Sequence, residues 1–82
     1  MTRVTFIKAV FPQRFKSGTR YGVLFHDGTL ADTWDDTKGV LLASIAERAQ
    51  MRDRAVRVST WDKNGQQILT WVEEVAEPER VA

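Results

Sequence analysis

Two short stretches of this 82-residue chain carry side chains suited to gripping an anionic, aromatic ligand. The first holds Arg14, Phe15 and Lys16, then Arg20 and Tyr21; the second holds Trp61, Lys63 and Asn64. Cationic heads neutralise phosphates and release counterions, whereas rings stack on bases with little discrimination among them. Single-strand nucleic-acid binders interleave these two kinds of group, and each stacked base is worth about 1–3 kcal/mol. The candidate nucleic-acid-binding residues are therefore Arg14, Phe15, Lys16, Arg20, Tyr21, Trp61 and Lys63. The expected ligand is single-stranded DNA or RNA, bound with little sequence preference.

Other chemistries find fewer candidates. With no cysteine and one histidine, His26, the chain lacks both thiolate ligands and a nucleophile-and-base pair. There is no Gly-rich phosphate loop of the GxxxxGK[ST] type. Asp32, Asp35 and Asp36 cluster, but without the glycine and terminal glutamate of a calcium loop. Asp35, Asp36 and Thr37 are better placed to start a helix, where side-chain oxygens accept from free N–H groups. The reading is of a binding module with no enzymatic activity, no metal and no cofactor.

Charge is segregated along the chain despite a net value of only +1. Residues 1 to 20 hold five bases and no acid, and residues 21 to 37 hold four acids and no base. A basic patch must then come from the first strand region and from the middle of the chain. With 43% hydrophobic and 28% charged residues the composition is that of one ordinary globular domain. Arg3 and Lys8 interrupt the first apolar stretch, and no apolar run approaches the roughly 20 residues of a membrane helix. Absence of cysteine adds to the expectation of a cytoplasmic protein with no membrane partner.

Patterning predicts the strands and the helix that carry these residues. RVTFIKAVF, residues 3 to 11, is rich in β-branched and aromatic types and predicts a strand ending at Pro12. A turn over Lys16 to Thr19 leads to a second strand from Arg20 to His26. Asp27-Gly28 forms the next tight turn, before a third strand from Thr29 to Trp34. Leu41, Ile45 and Ala49, widened by Leu42 and Ala46, mark the apolar stripe of a helix from Lys38 to Met51. AVRVSTW, residues 55 to 61, alternates Val56, Val58 and Thr60 against Arg57, Ser59 and Trp61 as a half-buried strand does. An Asn64-Gly65 turn joins it to a last strand, Gln66 to Val72. Phe6, Phe11, Phe25 and at least one tryptophan are expected in the core.

YGVLFHDGTLADTWDD before the helix and RAVRVSTWDKNGQQILTWVEEV after it are similar to small single-domain OB-fold proteins. The order of three strands, a helix and a two-stranded hairpin resembles that family's. The resemblance implies an all-β fold with one helix, a five-stranded OB-like barrel over residues 1–74, and a tail over 75–82. The same string also suits a small SH3-like barrel or an α+β sheet with one helix. By the resemblance, the helix plugs the barrel and ligand lies across the second and third strands, between the first-second and fourth-fifth strand loops.

A second function class stays open. In the last strand Ile68, Thr70 and Val72 alternate with Leu69 and Trp71, so both faces are largely apolar. Trp61, Leu69 and Trp71 then form a candidate protein interface, with a protein partner or a homodimer in place of nucleic acid.

Overall fold

The computed structural model describes residues 2–15, 18–34 and 36–75, with the backbone alone at 15, 18 and 19. Its elements are β1 (Thr2–Phe15), β2 (Gly18–Phe25), β3 (Leu30–Asp32), α1 (Thr37–Met51), β4 (Ala55–Lys63) and β5 (Gln66–Glu74). The strands close into a barrel in the order β1-β2-β3-β5-β4, antiparallel except where β3 meets β5. This is an OB-like barrel with one helix between the third and fourth strands. No helix of the described residues is long and apolar enough to cross a membrane. Of the expected tail, residues 76–82 lie outside the described residues.

β1 serves two partners because it bends. Thr2–Phe6 pairs with β4 and Ile7–Phe15 with β2, and Lys8 is the extra residue at a register shift between Ile7 and Ala9. Such bulges sharpen local twist and let one strand turn a barrel corner. Beyond the bend, β1 and β2 continue as a two-stranded arm through Phe15 and Gly18.

Pro12 does not end the strand as the sequence predicts. It sits opposite Tyr21, whose backbone N–H donates to the Thr33 hydroxyl and whose carbonyl accepts from the Thr33 N–H. Both polar groups of Tyr21 are thus spent on the Thr33 side, so the Pro12 nitrogen points away from β2 along an edge that β4 has left. A proline on a strand edge removes no ladder bond.

The core gathers Ile7, Val23, Phe25, Ala31, Val56, Val58, Leu69 and Val72 from the barrel with Leu42, Ala46 and Ala49 from α1. Burying each larger aliphatic or aromatic side chain contributes about 1.5–3 kcal/mol. Three core expectations are corrected. Leu41 is 58% exposed, and the buried helix face is Gly39, Leu42, Ala43, Ala46 and Ala49. The stripe is rotated one residue because the small side chains, not the bulky ones, let the helix approach the strands. Phe6 and Phe11 are exposed, and none of the tryptophans is buried. Phe6 alternates with the inward Ile7 and meets the His26 ring edge-on at 6.0 Å.

β5 carries the second irregularity. Ser59 faces Trp71 and Thr60 faces Leu69, so Thr70 is the extra residue. Its hydroxyl donates to the Ser59 carbonyl at 3.0 Å. The bulge reverses the inside-outside alternation, turning Leu69 and Val72 inward and Trp71 out. Leu69, with 1% of its surface exposed, belongs to the core and is corrected as an interface residue.

Candidate nucleic-acid interface

The Asn64-Gly65 turn, with φ of 53° and 85°, joins β4 to β5 in a tight hairpin and presents Trp61 and Lys63 on one face. Trp61 lies opposite Ile68 and Lys63 opposite Gln66, so all four share that face. Ile68 is fully buried while Trp61 is 53% exposed, which gives the face a dry apolar floor under an accessible ring.

Trp34 completes the cluster. Its ring centroid is 6.4 Å from that of Trp61, tilted by 41°, and Lys63 Nζ stands 4.8 Å above it. An aromatic pair at this separation contributes about 0.5–1.5 kcal/mol and an exposed cation–π contact about 0.5–1 kcal/mol. These energies orient the rings without sealing them, since a stacked base is worth as much or more.

A glycine sets the position of Trp34. Asp36 caps α1 by accepting from the Gly39 N–H at 2.7 Å, which folds the chain back on the first helical turn. A Cβ at Gly39 would overlap the Trp34 carbonyl oxygen. Only glycine allows the residue to dock there.

A polar bridge continues the face towards the arm. Asp32 accepts from Gln13 Nε2 at 3.2 Å and from Gln66 Nε2 at 2.6 Å, tying β1, β3 and β5 together. Gln13 reaches Asp32 by crossing Gly22, where a Cβ would stand 2.6 Å from Gln13 Nε2 and from the Phe11 ring.

The arm divides the remaining predicted residues. Gln13 pairs with Arg20, which places Arg20 on the face of the bridge. Arg14 pairs with Thr19 and Tyr21 with Pro12, one residue out of phase, so Arg14 and Tyr21 take the opposite face. Phe15 is paired with Gly18 through its backbone, and Lys16 lies outside the described residues. Structure therefore brings Trp61, Lys63 and Arg20 to one face and adds Trp34, Asp32, Gln13 and Gln66. Asp32 was legible only as part of an acidic cluster; the glutamines carried no sequence signal, because their role depends on barrel closure.

A separate cavity of about 270 Å³ is lined by Arg3, Phe25, Thr29, Leu30, Ala31, Thr60 and Gln67. Arg3 lies 4.8 Å over the Phe25 ring and donates to Asp27 at 2.6 Å and to Thr29 at 2.5 Å. The Thr29 hydroxyl and backbone N–H, with Arg3 beside them, hold the Asp27 carboxyl below its usual range. Among the described residues no group of His, Cys, Asp and Glu is arranged to hold a metal.

Trp71 also points outward, opposite Ser59 and one row along the same hairpin from Trp61. It shares a row with Ser59 and Thr2, and the next row holds Val4, Arg57 and Glu73, the last two paired at 3.1 Å. Compared with protein-family models, curated proteins and solved structures, the chain matches none, so the reading of its function rests on this geometry.

Proposed function

We propose that this chain is an OB-fold module that binds single-stranded nucleic acid and catalyses no reaction. One observation carries the reading: exposed Trp61 and half-buried Trp34 converge with a lysine on one barrel face, 6.4 Å and 4.8 Å apart as ring pair and cation–ring pair. Rings at that spacing offer stacking surface for bases while Lys63 and Arg20, on the same face, neutralise the phosphates running past them. Position supports it as well, because the face joins β3 to the loop between β4 and β5, where OB-folds take nucleic acid.

The test is fluorescence anisotropy of labelled single-stranded DNA and RNA at low and moderate salt. Expected are salt-sensitive binding by the wild type and a loss of about tenfold to a hundredfold in Trp61→Ala, the worth of one stacked base. Absence of binding even at low salt overturns the reading.

A protein-binding or self-associating role draws on the outward rows beyond Trp61, where Trp71, Val4 and Phe6 are 49%, 55% and 43% exposed. In that role salt weakens association little, and size-exclusion at two salt concentrations separates the two readings.

A further inference from the structure

Gln13, Asp32 and Gln66 lie on the outward face that carries Trp61 and Lys63, and what they could add there rests on the nucleic-acid reading of that face. Both carboxylate oxygens of Asp32 accept from a glutamine amide. Only an amide nitrogen can donate to an ionised carboxylate, so each amide is locked with its nitrogen towards Asp32 and its carbonyl oxygen turned away. The carboxylate keeps further lone pairs, having about four acceptor sites in all. A ligand arriving at the bridge therefore meets a negative, acceptor-rich surface held in one orientation by three strands.

That surface selects for donors. A phosphate, an anion made of acceptors, is repelled. Thymine and uracil offer one N–H between two carbonyls and match it poorly. Guanine matches it best, because its N1–H and N2–H donors lie side by side and meet the two oxygens of a carboxylate. An arginine or lysine of a protein partner also brings donors, but Lys63 already stands over the neighbouring Trp34 and would repel it. A neutral base suffers no such repulsion.

We propose that the Gln13, Asp32 and Gln66 bridge is a specificity element that prefers guanine at one position of the bound strand, beside the bases stacked on Trp34 and Trp61. The backbone phosphates run along Lys63 and Arg20, and the base edge turns towards Asp32. Stacking supplies affinity and the bridge supplies the choice.

The test is anisotropy competition with three ligands: a short oligothymidine, the same with one central guanine, and the same with inosine, which lacks the N2 amine. An arginine-rich peptide is a fourth competitor. Expected is binding about tenfold tighter for the guanine oligomer than for oligothymidine, as one bidentate base contact is worth, with inosine in between. In Asp32→Asn the ratio of guanine-oligomer affinity to oligothymidine affinity falls to near unity, and Gln66→Ala lowers that ratio part of the way. Equal binding of the three oligomers by the wild type overturns the inference, whatever the variants' folding. So does a guanine preference that survives in folded Asp32→Asn, or displacement by the peptide in preference to the guanine oligomer. Failure to bind any oligomer is a different result, since it overturns the nucleic-acid reading and takes this inference with it.

Discussion

Trp61 and Trp71 lie on the same β4 and β5 hairpin and are exposed almost equally, at 53% and 49%, yet their surroundings differ in kind. Trp61 has a second tryptophan and a lysine beside it and an acceptor-rich bridge on the same face. Trp71 has hydroxyls in its own row and, in the next, an arginine and a glutamate that neutralise each other. Exposure alone is a weak guide to a site, because most of any folded protein's surface is apolar. Convergence of unlike groups around one ring is the stronger sign, and Trp71, one row along from Trp61, lacks it; the Thr70 bulge turns Leu69 inward between them.

The bulge gives the sharpest way to break the comparison. Leu69→Ala, on the inward side, is expected to cost about 2–5 kcal/mol of stability in denaturant unfolding, as core truncations do. Trp71→Ala, two residues on but outward, should cost far less and leave oligonucleotide binding unchanged. A large binding loss from Trp71→Ala would erase the distinction between the two tryptophans.

Gly39→Ala tests the Trp61 face from behind. The added methyl collides with the Trp34 carbonyl and should cost about 1–3 kcal/mol, outweighing the helix-propensity gain of about 1 kcal/mol. Tryptophan emission should shift and oligonucleotide affinity fall, although Gly39 itself is buried. If unfolding and emission both match the wild type, Trp34 is not held as described.

The smallest effect belongs to the turn after β2, at Asp27. Asp27 has its carboxyl pKa lowered, chiefly by the Thr29 hydroxyl, then by the Thr29 N–H and Arg3. A depressed carboxylate contributes stability that is complete above its unfolded pKa and is lost as pH falls through the folded value. Wild type should therefore lose stability below about pH 4 more steeply than Asp27→Asn, measured by thermal unfolding across acid pH. Parallel curves would show that the charge on Asp27 contributes nothing to folding.

Much of the barrel was legible because local chemistry and tertiary demand agree. Asn64-Gly65 adopts the positive φ of a tight turn, Asp36 caps the helix, and Val56 and Val58 point inward as their alternation requires. Where a bulge, an edge or a close approach intervenes, periodicity loses phase. Leu69 reads as the outward partner of Trp71 until Thr70 is skipped, and Pro12 reads as a terminator until its edge is seen to be free. Leu41 fits the helical stripe, but α1 turns its smaller side chains to the core.

The number, type and order of the elements were written in the sequence, as was the set of residues able to stack or carry charge. These depend on propensities and turn chemistry within a few residues of one another. Which of those residues meet was settled by tertiary structure. Closing β3 against β5 brought Asp32 to Gln66, and crossing Gly22 brought Gln13 to Asp32. Docking on Gly39 brought Trp34 to its place beside Trp61. Such encounters are between residues far apart in the chain, and only the closure of the barrel selects which of the many possible pairs are made.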